Sequence, residues 1–115
     1  MTDRWRWIAA AALVTASVGA AASTHTVAEC FEGSDFIANA ALARDNGMSR
    51  ADFLERMEGD FLMIAAYPPE LRWFAKDRDD ERFLLSAARE VFDVPAAPEH
   101  HRARFLAACF DRSTA

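Results

Sequence analysis

The sequence predicts an all-α protein, a small bundle of four to five helices whose first and last helices are joined by one disulfide. Apolar residues recur at spacings of three and four along most of the chain, which is typical of amphipathic helices. No stretch alternates apolar and polar residues in the manner of a half-buried strand. The two cysteines, Cys30 and Cys109, lie near opposite ends of the chain.

Residues 1–22 have the pattern of a cleaved signal peptide. Two arginines precede an uncharged, alanine-rich stretch, which is shorter than the roughly 20 residues needed to span a bilayer. The stretch ends in three alanines, small residues of the kind that signal peptidase cleaves. We expect a mature chain that begins at Ser23, forms a single helical domain over residues 23–115, and is periplasmic or secreted. An uncleaved amphipathic or membrane helix is the alternative.

The charge balance excludes some classes of partner. The chain carries 13 lysines and arginines against 18 aspartates and glutamates, a formal net charge of −5 at pH 7. The basic residues do not form a cluster in the sequence. An acidic chain of this kind is poorly suited to nucleic acid or to an anionic membrane surface, so we expect a protein partner, which the sequence does not identify.

Capping signals place the first two helices. Thr26 and Glu29 have the T-x-x-E spacing of a capping box, so the first helix begins at Val27 or, because a glycine follows soon after, behind Ser34. We expect it to end at Gly47, since glycine accepts the left-handed conformation of a helix C-terminus. The second helix then begins after Ser49, a good N-cap residue, and two consecutive prolines end it.

The prolines and acidic residues mark the later helices. Pro69 predicts the start of a short third helix that carries Leu71, Trp73, Phe74 and Ala75. The acidic run that follows favours the start of a fourth helix, and the pattern leaves open whether residues 69–93 form one bent helix or two. Pro98 predicts the start of the last helix, with an apolar face formed by Phe105, Leu106, Cys109 and Phe110.

The cysteines are interpreted as a structural disulfide. An exported chain enters an oxidising compartment, and both cysteines lie on the apolar faces of predicted helices. Closing a loop of about 80 residues is worth roughly 4.5 kcal/mol in the chain-entropy description. A redox or nucleophilic role is disfavoured because the chain has no C-x-x-C motif and because Glu29 and Glu32 flank Cys30, which opposes thiolate formation.

Metal, cofactor and catalytic signals are weak. His100 and His101 are adjacent, so on a helix they point about 100° apart and form part of a solvated first turn. His25 is expected in a frayed terminus. The acidic run from Asp77 lacks the glycine and the glutamate of a calcium loop. Hydrolase, metalloprotease and phosphate-binding motifs are missing from the sequence, which therefore predicts no catalytic residue, no cofactor and no metal site.

The most unusual stretch is the candidate partner surface. Tyr67, Arg72, Trp73 and Phe74 lie close together around two prolines, and these residue types are enriched at interface hot spots. The alternative is an interhelical turn whose two large aromatic side chains join the core. Adjacent residues of a helix cannot both point fully inward, so we expect one aromatic side chain near the surface.

The sequence thus favours an exported, non-enzymatic protein-binding domain of the inhibitor or immunity type. Its plan resembles two groups of small exported helical proteins with one disulfide between their ends, periplasmic acid-stress chaperones and immunity proteins that neutralise bacterial toxins. The resemblance is one of size, signal peptide and cysteine pair. An acid- or stress-responsive chaperone is therefore the alternative function, and a small exported enzyme is the third.

Overall fold

The structure, a computed structural model, describes residues 25–114, and in this part of the chain it is entirely helical and contains no strand. The predicted all-α fold is therefore confirmed. The predicted signal peptide and its cleavage site lie outside the described residues. No helix in residues 25–114 is both long enough and apolar enough to cross a membrane. The elements are α1 (Val27–Asp45), α2 (Arg50–Ile64), a 3-10 turn (Pro69–Leu71), α3 (Arg78–Asp93) and α4 (Pro98–Thr114).

The first and last helices form the centre of the bundle. α1 packs along α4 and against α3, while α2 packs mainly on α3. The predicted disulfide between Cys30 of α1 and Cys109 of α4 is present, with the two Cα atoms 5.7 Å apart and both side chains fully buried. Such a bond is consistent with an oxidising, exported environment.

α1 begins at Val27, so the first of the two predicted starts is correct. The Glu29 main-chain N–H donates to the Thr26 hydroxyl at 3.0 Å, and the Thr26 N–H donates to the Glu29 carboxylate at 2.9 Å. These two hydrogen bonds form the capping box that the sequence predicts. The helix continues without interruption through Gly33.

Gly33 lies where an aromatic side chain of α4 packs against α1. A Cβ atom at this position would lie 2.6 Å from Cε1 of Phe105 and 3.1 Å from the ring of Phe74. The missing side chain therefore lets an α4 aromatic ring pack directly on the α1 backbone. Glycine weakens an isolated helix, but the packing of α1 against Phe105 and Phe74 requires it at position 33.

The turn between α1 and α2 has the predicted conformation. Gly47 has φ 99°, its N–H donates to the Arg44 carbonyl, and the Met48 N–H donates to the Ala43 carbonyl. This is the Schellman arrangement, which satisfies the last carbonyls of a helix. Ser49 then caps α2, because its hydroxyl accepts the Asp52 N–H at 3.0 Å.

Replacing the α2 cap should have a moderate effect on stability. We expect Ser49→Ala to lower the free energy of unfolding by about 1 kcal/mol, because one main-chain N–H of the first turn loses its acceptor. Urea unfolding followed by circular dichroism measures this loss. Ser49→Asp should retain most of the stability, and equal stability of the alanine variant and the wild type would contradict the cap.

The predicted short third helix is wrong. Only Pro69–Leu71 is helical, as a single 3-10 turn, and residues 72–77 are irregular. The side chain of Arg72 explains the difference, because its guanidinium donates to the carbonyls of Tyr67 at 2.8 Å and Lys76 at 2.9 Å. These bonds hold the segment in a folded but non-helical conformation. Residues 69–93 are therefore neither one bent helix nor two α-helices.

The connection between α3 and α4 is held by side chains from two helices. Arg44 of α1 donates to the carbonyls of Val91 and Ala96, both at 2.7 Å. The Nε2 atom of His101 lies 3.0 Å from the Val94 carbonyl oxygen. His101 is only 3% exposed, so the prediction that both adjacent histidines are solvated holds for His100 and is wrong for His101.

Candidate functional site

His25 lies in the core instead of a frayed terminus. Its ring stacks on that of Phe74, with centroids 3.9 Å apart and an angle of 6° between the planes. Its Nε2 atom lies 2.9 Å from the Phe74 carbonyl oxygen and 3.5 Å from Oδ2 of Asp80. Its main-chain N–H donates to the Ser113 hydroxyl at 3.2 Å. His25, which precedes the N-cap of α1, thus contacts α3, α4 and the segment before α3.

Asp80 is a fully buried carboxylate at the centre of this anchor. Its Oδ2 atom accepts the Lys76 N–H at 3.0 Å, and its Oδ1 atom lies 3.3 Å from the Arg112 guanidinium. The same guanidinium lies over the ring of Phe83, 4.3 Å from its centroid. A buried charge is tolerated only with partners of this kind. We call His25, Phe74, Asp80 and Arg112 the His25 cluster.

The cluster shifts the proton affinity of its histidine. Burial alone would lower the pKa of His25, but the Asp80 carboxylate and the Phe74 carbonyl outweigh burial, and the pKa of His25 is raised. For Glu29, burial would raise the pKa, but the Thr26 N–H and the ammonium of Lys76, 3.0 Å away, lower it. The groups facing His25 therefore favour the protonated imidazole.

These shifts predict how stability depends on pH. Because the pKa of His25 is higher in the folded state than its usual value of about 6.5, its stabilisation is fully present below that pH. It is lost as the pH rises through the raised folded-state pKa. We expect the free energy of unfolding to fall as the pH rises above about 6.5, measured by urea titration at a series of pH values.

The matched controls use two of the three histidines of the chain. His25→Gln should flatten the pH dependence in that window, whereas substituting the exposed His100 by glutamine should leave it unchanged. A His25→Gln variant with the same slope as the wild type would show that another group titrates.

A second feature is a group of exposed apolar side chains at and just after the end of α2. Five of the nine large apolar side chains that are exposed in the described part of the chain lie between residues 62 and 73. Leu62 and Met63 of α2 are 78% and 71% exposed, and Leu71 of the 3-10 turn is 69% exposed. We call the set the α2 apolar surface; its members are Leu62, Met63, Tyr67, Leu71 and Trp73.

The structure divides the four residues of the predicted partner surface. Tyr67 is 58% exposed and Trp73 is 36% exposed, so both contribute to the α2 apolar surface. The Arg72 guanidinium is occupied by main-chain carbonyls and therefore acts as a brace for the turn. Phe74 is fully buried and belongs to the core, so its assignment to a surface is wrong.

Trp73 borders a groove beside the α2 apolar surface. Its ring centroid lies 5.6 Å from that of Phe36 and 5.7 Å from that of Phe74, and the residue remains 36% exposed, so the indole is partly packed and partly accessible. The groove has a volume of about 180 Å³, and Met57, Phe61 and Trp73 are among its lining residues. An apolar side chain from outside could be inserted there.

Sequence reasoning missed Leu62, Met63 and Leu71. A signal for the first two is present, because residues 61–66 are apolar without interruption and therefore cover every side of a helix. Met57 and Phe61 are the only buried residues of α2, so Leu62 and Met63 on its other faces remain outside the core. Exposed apolar side chains that lie in one large patch are typical of interaction sites in other proteins.

In residues 25–114, no group of three or more histidine, cysteine, aspartate or glutamate side chains is arranged to hold a metal ion. Comparison of the chain with protein-family models, with curated proteins and with solved structures finds no match.

Proposed function

We propose that this protein is an exported, non-enzymatic protein-binding domain of the inhibitor or immunity type, and that it binds its partner through the α2 apolar surface. The observation that carries the proposal is the concentration of exposed apolar side chains in residues 62–73, beside an apolar groove. The disulfide supports the exported, periplasmic or secreted location. Apolar side chains in this number are costly in water unless a partner covers them.

The surroundings of the surface indicate the chemistry of the partner. Exposed carboxylates lie near its residues in the sequence, at Glu58 and Asp60 of α2 and at Glu70 of the 3-10 turn. Arg72, the arginine within the surface, is already hydrogen-bonded to main-chain carbonyls. Charge complementarity therefore favours a protein partner with one or two apolar anchor side chains and basic residues around them.

The brace at Arg72 also favours binding without rearrangement. Its guanidinium joins the carbonyl of Ala65, just after α2, to those of Tyr67 and Lys76. The turn that carries Leu71 and Trp73 is thus held in one conformation before binding. Pre-organised surfaces lose less conformational entropy on association.

The proposal can be tested with peptides of known sequence. A random peptide library displayed on phage is selected against the mature, oxidised protein and against Leu62→Glu/Leu71→Glu. We expect the peptides specific for the wild type to combine apolar anchors with lysine or arginine, and to bind more weakly as salt is raised. Trp73→Ala should weaken the same peptides by about 2 kcal/mol or more, as a hot-spot residue does.

A matched control uses an exposed apolar residue elsewhere. Leu42 of α1 is 48% exposed and lies outside the α2 apolar surface. Leu42→Glu should bind the selected peptides as the wild type does. Peptides that bind Leu62→Glu/Leu71→Glu equally well, or that lack basic residues, would contradict the proposal.

A further inference from the structure

A small pocket is lined mainly by residues of α3 and α4, with one residue of α1, and we call it the α3–α4 pocket. Its volume is about 120 Å³. The apolar side chains that line it include Ile37, Phe83 and Phe105, and the polar ones include Ser86 and His101. It shares no residue with the α2 apolar surface or with the groove beside that surface.

His101 gives the pocket an unused hydrogen-bond acceptor. The residue is 3% exposed, and its Nε2 atom lies 3.0 Å from the Val94 carbonyl oxygen. Because a carbonyl oxygen can only accept, Nε2 carries the hydrogen of the neutral imidazole, and Nδ1 is left with a lone pair. The ring forms no other hydrogen bond within residues 25–114. In that part of the chain the side-chain polar atom that is both unpaired and sealed from solvent is Nδ1 of His25, so Nδ1 of His101 can be reached from outside.

The charged side chains that line the pocket neutralise each other. The Arg104 guanidinium of α4 lies 2.8 Å from the Glu90 carboxylate of α3. A charged ligand would have to compete with this ion pair for one of its members. A neutral ligand leaves the pair intact, so the pocket favours a neutral ligand.

The apolar walls and the size of the pocket favour a single aromatic ring. The rings of Phe83 and Phe105 have centroids 5.2 Å apart and an angle of 45° between their planes. Aromatic rings pair well in tilted arrangements at such distances, and a third ring can extend the pair. A dry apolar cavity of about 150 Å³ in another protein holds benzene. A partly open pocket of about 120 Å³ therefore suits one ring.

We propose that the α3–α4 pocket binds a phenol, an aromatic ring with one hydroxyl group, and that this hydroxyl donates to Nδ1 of His101. The ring of the ligand packs against Phe83 and Phe105. A phenolic oxygen both donates and accepts, so the Ser86 hydroxyl, which also lines the pocket, is available as a donor to the same oxygen. The site is independent of the α2 apolar surface, and either can fail without the other.

The test compares two ligands that differ only in the hydroxyl group. Mature, oxidised protein is titrated with para-fluorophenol and with fluorobenzene, and binding is followed by fluorine NMR. We expect one para-fluorophenol per chain, with a dissociation constant of about 1 mM or lower. Fluorobenzene should bind roughly 10-fold more weakly, because it leaves the imidazole nitrogen unpaired. Equal affinities, or no binding of either ligand, would overturn the proposal.

Two alanines of α4 provide matched variants that locate the site. Ala103 and Ala108 are both exposed, and Ala108 lines the pocket whereas Ala103 does not. Ala108→Phe should fill the opening and abolish binding of para-fluorophenol, while Ala103→Phe should bind it as the wild type does. Circular dichroism verifies that both variants are folded. Equal binding by the two variants would place the ligand elsewhere and overturn the proposal.

The hydrogen bond has its own spectroscopic signature. The nitrogen-15 resonance of an unprotonated imidazole nitrogen shifts when that atom accepts a hydrogen bond. In long-range proton–nitrogen spectra, para-fluorophenol should shift the Nδ1 resonance of His101 and leave the ring nitrogens of His25 in place, and fluorobenzene should shift neither. An Nδ1 resonance of His101 that stays unchanged in the bound protein would contradict the assigned acceptor.

A phenol ring is found both in free small molecules and in the tyrosine side chain. N-acetyltyrosinamide is therefore added in competition with para-fluorophenol. Displacement assigns the site to a tyrosine of a polypeptide, and retention of para-fluorophenol assigns it to free phenols. Either result supports the site and identifies the source of its ligand.

Discussion

Removing the disulfide should cost the protein a large part of its stability. We expect the double variant Cys30→Ala/Cys109→Ala to lose roughly 2–5 kcal/mol of unfolding free energy, because the unfolded chain regains the entropy of a loop that spans 79 residues. For a domain of this size, the melting temperature should fall by roughly 10 °C or more. Urea and thermal unfolding under identical conditions measure both quantities.

The reduced wild-type protein is the control for this variant. Reduction breaks the same bond without removing the two sulfur atoms from the core, where both side chains are fully buried. Reduced protein and double variant should therefore unfold at similar urea concentrations, both well below the oxidised protein. Two free thiols in protein purified without reductant, or equal stability of the oxidised and reduced forms, would contradict the role of the bond.

Local signals in the sequence were sufficient for the helix ends. The residues that begin and end the helices act on main-chain groups within a few residues, so a short stretch of sequence is enough to predict their effect. They are Thr26 with Glu29, Gly47, Ser49 and Pro98. The disulfide could be predicted as well, although its partners are far apart, because the chain has only two cysteines. Because two cysteines allow only one pairing, their separation along the chain does not affect the prediction of the disulfide.

The features that the sequence did not reveal depend on distant residues. His25 meets Phe74, which is 49 residues away, and Ser113, which is 88 residues away. Nothing near residue 25 signals these contacts. The failed prediction of a helix after Pro69 has a mixed origin, since Phe74 is buried by distant residues while Arg72 bonds carbonyls only a few residues away. Tertiary contacts therefore decided the cluster, and local side-chain bonds together with burial decided the turn.

The His25 cluster also bears on the alternative function as an acid-responsive chaperone. Such a protein should loosen as the pH falls. The raised pKa of His25 acts in the opposite direction, because its contact with Asp80 becomes stronger as the imidazole gains a proton. Loosening would begin only where carboxylates such as Glu29, whose pKa is lowered, take up protons. For this reason we propose a rigid binding domain in preference to a chaperone activated in mildly acidic conditions.

Replacing Phe74 should have an effect as large as removing the disulfide. Phe74 is the largest of the fully buried side chains, and its ring contacts those of His25, Trp73, Phe83 and Phe105. We expect Phe74→Ala to lower the unfolding free energy by roughly 3–5 kcal/mol, because lost apolar transfer and the remaining cavity add. Urea unfolding of the oxidised protein measures the loss.

The neighbouring residue provides the comparison that separates core from surface. Trp73 is 36% exposed, so Trp73→Ala should cost only about 1–2 kcal/mol of stability, in proportion to the apolar area that the indole buries. Trp73→Ala should weaken peptide binding more than it lowers stability. Phe74→Leu, which keeps most of the core volume, should bind peptide normally.

Because Trp73 is the only tryptophan after residue 22, its fluorescence reports this position in the mature protein. We expect a soluble quencher to reduce the emission of the free protein, and bound peptide to protect Trp73 from the quencher. If the indole is already shielded in the free protein, Trp73 belongs to the core beside Phe74.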